Sequence, residues 1–475
     1  MTPRTQDPAA TEASTVVSAL LATLPGRVRT AAAVLEPYRR DRSGRVSGGP
    51  PLAVVEALSV ADVQEACRIA SAHGVPIVTR GAGTGLAGGG IAGPDEIVLS
   101  TRAMDRVLRV SPQNRLAVVE PGILNAELND RLAEHGLWWA PDPASREIST
   151  VGGNIATNAG GLLCAKYGVT RESVLSLKVV LADGRLIQVG HDTVKGVTGL
   201  DLCALMIGSE GTLGVIVECT LRLRPLVSGP IATIGAFFPS VERAAAAAGD
   251  VVAAGWTPAV MELMDRRTLE CVGRYTGQDL LARGDALLLV QVDGAGALTE
   301  ADAVHDLVVA AGGAAELTTD AAESSRWMDL RRQAFPAIES LGTLLVEDVA
   351  VPLDRMSDMF AHVRRLEGRY GVIIPTACHA GDGNLHPTFA FQGEEVPAEV
   401  WQAAGEVFEH ALALGGTLSG EHGIGLLKRR WLGDELGEDQ LDLQRQIKAV
   451  FDPAGLLNPG KVFPDDDRSG EHALS

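Results

Sequence analysis

The chain has 475 residues, enough for two or three domains, and its composition excludes several classes of protein. Apolar residues make up 46% and charged residues 21%, as in an ordinary globular protein rather than a disordered one. The 41 basic and 60 acidic residues give a net charge of −19, a field that repels nucleic acid. The six cysteines form no CxxC pair, which argues against a disulfide framework, a zinc knuckle and an iron–sulfur cluster.

The N-terminal residues carry no signal for secretion. They begin MTPRTQDPAATEAS, without a basic segment ahead of an apolar one, so the expected location is the cytoplasm. A peripheral position at the inner face of the membrane is the alternative location. No stretch approaches the ~18–20 apolar residues of a membrane-spanning helix. A short amphipathic helix is predicted around Val16–Leu24, followed by an extended stretch over 38–45.

From Pro51 onward, strand and helix patterns alternate. In chain order the predicted elements are a helix capped by Ser59 that ends at Gly74, a strand over 76–79, a strand over 116–119, a helix over 124–135, a hairpin over 177–189 with Asp183-Gly184 at its turn, and a strand over 215–223. Pro225 and the Ser-Gly-Pro at 228–230 then interrupt the pattern, and we place a domain boundary there.

The order of predicted strands and helices is different after this boundary. The predicted elements are strands over 232–238, 259–263 and 286–292 and helices over 241–254 and 300–311. This order is typical of a split βαβ layout, an antiparallel sheet with helices on one face.

A glycine-rich loop follows the strand over 76–79. Residues 80–90, RGAGTGLAGGG, contain a formal match to the dinucleotide fingerprint, but Gly93-Pro94 prevents the helix that this fingerprint requires. The loop therefore predicts a nest of backbone N–H groups for a diphosphate, with a mobile glycine turn as the alternative. Two further segments rich in Gly, Ser, Thr and Asn, at 148–161 and 207–215, favour a large planar cofactor.

These segments, PIVTRGAGTGLAGG, STVGGNIATNAGG and GSEGTLGVI, resemble the FAD-binding half of flavoproteins of the vanillyl-alcohol oxidase/p-cresol methylhydroxylase type. Together with the C-terminal segments, the resemblance covers residues 45–463. Within that superfamily the chain is most similar to FAD-linked D-lactate dehydrogenase, the glycolate oxidase flavoprotein subunit and D-2-hydroxyglutarate dehydrogenase.

The resemblance implies an α+β fold in several parts. They are a leader and helix over 1–45, a two-part FAD-binding domain of the p-cresol methylhydroxylase type over 46–226, a ferredoxin-like split-βαβ substrate domain over 227–394, a small C-terminal helical segment over 395–463 that returns to the flavin, and a disordered tail over 464–475.

Motif matching also implies which residues contact FAD. They are Arg80, Gly81, Ala82, Gly83, Thr84, Gly85 and Leu86 at the diphosphate, and Pro141, Thr150, Gly152, Gly153, Thr157, Gly160, Gly161, Glu210, Val215, Ile216, Asn458 and Lys461 around the rest of the cofactor. For Lys461, an exposed lysine is the alternative interpretation. Some relatives attach FAD covalently through a histidine in the glycine loop, but this loop has none, so we expect non-covalent FAD.

Three of the ten histidines fall in two glycine-rich loops, CHAGDGNLHP and SGEHGIG. His379, His386 and Glu421 provide two imidazoles and a carboxylate, a common ligand set for a divalent metal with an open position. We expect Zn²⁺, with Mn²⁺ or Fe²⁺ as alternatives. Two histidines seven residues apart do not by themselves form a short zinc signature, and ordinary histidines remain the alternative.

The resemblance assigns these residues roles in oxidising a 2-hydroxy acid. His379, His386 and Glu421 match the family's metal ligands, and His422 matches its base. Arg331 matches the arginine that holds the substrate carboxylate, while its neighbour Arg332 is expected to face solvent. Asn384 is expected either to contact the metal-bound oxygen or flavin edge, or only to shape the turn.

The sequence thus predicts an FAD-dependent, metal-assisted D-2-hydroxyacid dehydrogenase, with hydride transfer to flavin N5. The hydroxyglutarate enzymes carry a lysine near residues 344–352, where this chain has no lysine and an added Glu347, so D-lactate is favoured. A glycolate oxidase subunit, a D-2-hydroxyglutarate dehydrogenase and a flavin-dependent alkyl transferase of the same fold are the alternatives. The expected partners are a small hydroxy acid, an electron acceptor (a cytochrome, a quinone or an electron-transfer flavoprotein) and a second copy of the chain in a homodimer.

Overall fold

The computed structural model describes residues 8–393 and 395–463, which form two compact units. Within these residues, the first unit comprises 8–159, 169–226 and 423–463, and the second comprises 160–168 and 227–422. The stretch 395–463, predicted as one helical segment, is therefore divided between the units after His422. The predicted tail over 464–475 lies outside the described residues. None of the helices over 8–393 and 395–463 is long and apolar enough to cross a lipid bilayer.

The helices of the described residues include one at each of the five helical stretches predicted between residues 16 and 311. In chain order they are α1 (Pro8–Thr23), α2 (Ala32–Leu35), α3 (Val60–His73), α4 (Asn125–Ala133), α5 (Val151–Thr157), α6 (Cys164–Tyr167), α7 (Leu202–Met206), α8 (Val241–Ala253), α9 (Arg266–Thr276), α10 (Ala297–Ala310), α11 (Ala321–Arg332), α12 (Ala334–Glu339), α13 (Met356–Tyr370), α14 (Ala398–Ala413), α15 (Leu432–Leu436) and α16 (Glu438–Phe451). The stretch predicted as extended over 38–45 begins instead with a 3₁₀ turn, Glu36–Arg39.

The first unit contains three sheets. Its strands are β1 (Val28–Arg29), β2 (Ala53–Glu56), β3 (Ile77–Arg80), β4 (Ile97–Ser100), β5 (Val107–Ser111), β6 (Leu116–Val119), β7 (Leu137–Trp138), β8 (Val174–Val180), β9 (Leu186–Gly190), β10 (Val215–Arg222) and β11 (Arg224–Pro225). One sheet has the order β1-β2-β4-β3 with β2, β4 and β3 parallel, an antiparallel sheet has the order β5-β6-β10-β8-β9, and β7 pairs with β11.

Local signals explain several of these elements. The Ser59 hydroxyl accepts a hydrogen bond from Asp62 N at the start of α3, and Gly74 ends the helix in the left-handed conformation with φ 65°. Strands β8 and β9 form the predicted hairpin, and Gly184 at its turn has φ 80°.

Two large apolar clusters contribute to the stability of the first unit. One lies on the antiparallel sheet and includes Trp139, Leu177 and Cys219, while the other joins α1 and α3 to the parallel strands through Leu20, Val63 and similar buried residues. Burial of such side chains is the main favourable contribution to folding.

The second unit is built on an eight-stranded antiparallel sheet. Its strands are β12 (Ile231–Phe238), β13 (Val260–Met264), β14 (Ala286–Asp293), β15 (Ala314–Thr318), β16 (Thr343–Val346), β17 (Val349–Ala350), β18 (Thr376–His379) and β19 (Asn384–Phe391). The order is β15-β12-β14-β13-β18-β19-β16, with β17 also paired to β19. The first four neighbours have the order of the predicted ferredoxin-like fold, in which the fourth, first, third and second strands lie side by side.

Candidate active site

The glycine loop of the first unit starts where β3 ends, at Arg80. A Cβ on Gly81 would lie 2.3 Å from Thr150 Oγ1, and a Cβ on Gly83, which has φ 71°, would lie 2.2 Å from Arg80 Nη2. Only glycine fits at both positions, so the loop can approach its neighbours closely. Arg80 Nη1 donates to Gly90 O at 2.6 Å, so this side chain connects the two ends of the loop.

The second predicted segment forms the short helix α5. Thr150 caps it, accepting a hydrogen bond from Gly153 N at 3.3 Å, and Thr157 Oγ1 donates to Gly153 O at 3.2 Å. A Cβ on Gly152 would lie 2.5 Å from Pro121 Cβ, so this helix packs on the neighbouring backbone without space for a side chain. Pro141 is buried, and its carbonyl oxygen accepts from the Asn125 amide.

Glu210 is a buried residue that binds the C-terminal segment of the first unit through backbone hydrogen bonds. Its carboxylate accepts from Ile424 N at 2.7 Å and Gly425 N at 2.9 Å, and burial raises its pKa to about 7. Val215 and Ile216 follow it as the buried start of β10. Glu210 therefore holds the C-terminal segment within this unit.

The C-terminal segment adds Asn458 and Lys461. Asn458 Nδ2 donates to Gly89 O at 3.0 Å and to Glu210 O at 2.7 Å, joining the glycine loop to the third predicted segment. Lys461 is buried, and its Nζ lies 3.1 Å from Glu96 Oε1, so the alternative of an exposed lysine is wrong.

Buried polar atoms test whether these segments fit a flavin nucleotide. Within the described residues, Thr79 Oγ1, Ser149 Oγ, Asn154 Nδ2 and Asn458 Oδ1 are buried in the first unit without a hydrogen-bond partner. Such atoms normally have one, and a cofactor rich in carbonyl, hydroxyl and phosphate groups would supply it. The residues present therefore fit FAD.

The histidine cluster of the second unit is built on two paired strands. His379 ends β18, and His386 lies in β19 opposite Ala377. Because residues two apart on a strand share a face, the two imidazoles lie on the same face of the sheet. Their ring centroids are 4.9 Å apart in an edge-to-face arrangement. Gly383, with φ 79°, makes the tight turn between the strands.

Glu421 completes the predicted ligand set. Its Oε1 lies 3.6 Å from His379 Nε2 and 3.3 Å from His386 Nε2, and one donor atom from each residue lies within 4.8 Å of the others. Gly160, predicted to contact FAD, lies in the second unit, where a Cβ would be 2.7 Å from Glu421 Oε2. The chain thus brings the three predicted metal ligands together.

Burial and neighbouring charged groups strongly shift the pKa values of Glu421 and His386. Burial alone would raise the pKa of Glu421, but the hydrogen bond from His379 and the neighbouring imidazoles lower it to about 2. Burial lowers the pKa of His386 to about 3, against the opposing effect of Glu421. An ionised carboxylate and a neutral imidazole are the forms that bind a cation, so Glu421 and His386 are in the state that a divalent metal requires, and the spacing of the three donor atoms fits such an ion.

His422 lies beside this set. Its Nε2 is 3.8 Å from Glu421 Oε1, and its ring stacks on His386 with centroids 5.3 Å apart. Asp348 holds this loop, because its Oδ2 accepts from Glu421 N at 2.6 Å and from His422 N at 3.3 Å. His422 Nδ1 lies 3.6 Å from Asp348 Oδ1.

Arg331 and Asn384 belong to the same unit. The Arg331 side chain is 17% exposed and its Nε donates to Glu262 Oε2 at 2.6 Å, whereas Arg332 is 60% exposed and pairs with Asp329, as predicted for a solvent-facing neighbour. Asn384 begins β19, and its Oδ1 is buried without a partner among the described residues.

Sequence reasoning missed two carboxylates, Glu262 and Asp348. Both side chains are fully buried. Glu262 stands in the apolar sequence VMELM of β13, and a single charge in a buried strand is a signal that could have marked it.

Comparison with known proteins gives the class of this protein. Residues 51–190 match the FAD binding domain family, and residues 229–462 match the family of FAD linked oxidases, C-terminal domain. The solved structure of p-cresol methylhydroxylase has a TM-score of 0.76 at 18% identity, covering 96% of this chain and 97% of that one. The protein is an FAD-linked oxidoreductase, and the predicted fold is confirmed.

Comparison with relatives of similar sequence identifies the family of FAD-linked oxidoreductases to which the chain belongs. Glycolate oxidase subunit GlcD of Bacillus subtilis is 37% identical over 424 residues, which are 88% of this chain and 90% of the relative. D-lactate dehydrogenase of Archaeoglobus fulgidus is 36% identical over 413 residues, 86% of this chain and 90% of the relative. The chain belongs to the FAD-linked oxidase family that contains GlcD and D-lactate dehydrogenase.

Proposed function

We propose that this protein oxidises a D-2-hydroxy acid to the 2-oxo acid, with D-lactate as the favoured substrate and pyruvate as the product. The proposal is carried by the arrangement of His379, His386, Glu421 and His422 in a chain of the FAD-linked oxidase family. The glycine loops would hold FAD non-covalently, and FAD would supply the acceptor for the hydride that leaves the substrate Cα.

His379, His386 and Glu421 would hold a divalent metal, with Zn²⁺ favoured over Mn²⁺ and Fe²⁺. Such an ion lowers the pKa of a hydroxyl group beside it and orients the substrate. The buried positions of His386 and Glu421 support the proposal, because the low pKa values of both groups keep the imidazole neutral and the carboxylate ionised.

His422 is proposed to take the hydroxyl proton at Nε2. Its other ring nitrogen faces the buried Asp348 carboxylate at 3.6 Å, which would stabilise the imidazolium formed when the proton arrives. The backbone hydrogen bonds to Asp348 hold His422 in place, so the base would need little reorganisation during the reaction.

Arg331 is proposed to bind the substrate carboxylate through its Nη atoms, since Nε is already bound to Glu262. Asn384, with its buried free oxygen, is proposed to contact the hydroxyl or the flavin edge. Residues 344–352 contain Glu347 and no lysine, which disfavours a second carboxylate and supports a small monocarboxylate substrate.

Anaerobic reduction of the flavin tests this proposal. The purified protein should be yellow and should bleach with D-lactate in the absence of oxygen. The variant His422→Ala should retain FAD and lose bleaching, whereas the control His135→Ala, a change at an exposed histidine of the first unit, should bleach at the original rate. Bleaching of His422→Ala at the original rate would refute the assignment of the base.

Glycolate is the second candidate substrate, because the GlcD relative is 37% identical to this chain. Bleaching rates with D-lactate, L-lactate, glycolate and D-2-hydroxyglutarate, measured on the isolated chain, separate these candidates. Adding a cytochrome, a quinone analogue or an electron-transfer flavoprotein to the reduced protein then identifies the acceptor, and light scattering tests the proposed homodimer.

A further inference from the structure

We infer that Glu262 is a positioning residue that orients both His379 and Arg331, an inference that rests on the proposed function for what these two side chains bind. Glu262 lies in the middle of β13, a strand in which every residue is buried. Its side chain is 0% exposed. A carboxylate in such a place is unfavourable unless both of its oxygens are paired.

Both oxygens of Glu262 are paired with the candidate site. Oε1 lies 2.5 Å from His379 Nδ1, and Oε2 accepts from Arg331 Nε at 2.6 Å. The sheet fixes the first of these contacts, because Glu262 of β13 stands directly opposite His379 of β18. The second contact comes from the last turn of α11.

The contact with Glu262 determines which ring nitrogen of His379 can bind a metal. When Nδ1–H donates to Glu262, the lone pair of Nε2 is directed away from this carboxylate and toward Glu421, 3.6 Å away. Carboxylates that bind the distal nitrogen of a metal-ligating histidine fix its tautomer and raise its basicity. Glu262 would therefore strengthen metal binding without contacting the metal.

The contact with Arg331 fixes a planar group. A guanidinium held at Nε cannot rotate freely, so its two Nη atoms are presented along one direction. The same carboxylate thus links the histidine proposed to hold the metal and the arginine proposed to hold the substrate. We expect its loss to weaken both functions at once, which a defect in either partner would not.

The variant Glu262→Gln tests this inference. The amide keeps the shape of the side chain, but only its oxygen can accept a hydrogen bond. The affinity for Zn²⁺ is measured on the metal-free protein by competition with a chromophoric chelator, and KM for D-lactate is measured at saturating Zn²⁺. We expect a ~10–100-fold weaker Zn²⁺ affinity and a raised KM, with an unchanged FAD content.

Two controls separate positioning from a general structural role. Arg331→Lys should raise KM and leave Zn²⁺ affinity unchanged. Glu316→Gln, at a carboxylate of the same unit that pairs with the exposed Arg283, should change neither. If Glu262→Gln does not fold, Glu262→Asp, which keeps the charge and shortens the side chain, should show both defects in weaker form.

The outcomes distinguish this inference from the proposed function. Unchanged Zn²⁺ affinity and KM in the Glu262 variants would overturn the inference alone. A wild-type protein that binds Zn²⁺ tightly but oxidises none of the tested hydroxy acids would overturn the proposed function and the role of Glu262 in orienting Arg331 toward substrate. The Zn²⁺ affinity is measured without turnover, so it would still test the role of Glu262 in orienting His379. A wild-type protein that binds no Zn²⁺ would overturn both.

Discussion

Adding a single methyl group at Gly160 should displace Glu421. A Cβ at this position would lie 2.7 Å from Glu421 Oε2 and 3.0 Å from Glu421 Cβ. The φ of Gly160 is not in the left-handed region, so alanine is tolerated by the backbone. The effect of Gly160→Ala would therefore come from the contact with Glu421 rather than from backbone strain.

The size of the displacement decides the outcome. Ordinary van der Waals contacts of a Cβ begin at 3.4 Å, so the carboxylate oxygen at 2.7 Å must move by more than half an ångström. Metal sites tolerate deviations of only about 0.2 Å in ligand distance. We expect a ~10–100-fold loss of Zn²⁺ affinity, the size of effect found when groups that position a metal ligand are lost. The unfolding temperature should change less than the Zn²⁺ affinity, because the shorter contact is with the far end of a flexible side chain and Glu421 Cβ needs to move by only a few tenths of an ångström.

Zn²⁺ affinity, FAD content and thermal unfolding are measured together on Gly160→Ala and on a control. Gly249→Ala is the matched control, since a Cβ at Gly249 in α8 meets no atom within 4 Å. Loss of FAD with intact Zn²⁺ affinity would refute the reasoning, and would support instead the contact between Gly160 and FAD that the sequence motif implies.

Two further predictions concern stability. Asp348→Ala leaves the partly buried N–H groups of Glu421 and His422 without their acceptor, so the free energy of unfolding in urea should fall by about 1–3 kcal/mol, at about 0.5–1.5 kcal/mol for each hydrogen bond; a loss below about 0.5 kcal/mol would contradict this role. The rings of His362 and His410 stack with centroids 3.9 Å apart, and burial, together with the charge of His410, lowers the pKa of His362 from 6.5 to about 4. Because this pKa is lower in the folded than in the unfolded chain, its contribution to stability is complete above pH 6.5 and is lost as the pH falls toward 4. His362→Gln should therefore lose less stability than the wild type between these pH values, and an identical pH profile would contradict this explanation.

The elements that local sequence signals predicted are present in the structure, although many short strands and helices were not predicted. The capped start of α3, the Asp-Gly hairpin and the alternation in β10 depend on neighbouring residues, and they are present in the structure. Helix α9 was missed although Asp265 caps it and Gly277 ends it with φ 73°, because no helix was expected between two consecutive strands of a split βαβ unit.

The candidate site was only partly predictable. The chemistry of His379, His386 and Glu421 was visible in two short loops, but Glu262 is 117 residues from His379 in the chain, and only the register of β13 with β18 brings them together. Gly160 shows the same limit, since its motif implied a cofactor contact while its nearest atoms belong to Glu421. Contacts between distant segments depend on sheet register, which sequence patterns do not specify.

The discontinuous composition of the first unit has a consequence for biosynthesis. Leu457 pairs with Ile77, and Asn458 joins the glycine loop to Glu210, so residues 423–463 complete a unit whose other parts precede residue 227. A ribosome releases these closing residues only after the whole second unit has been synthesised. During translation the first unit therefore cannot form these contacts until the second unit has been synthesised.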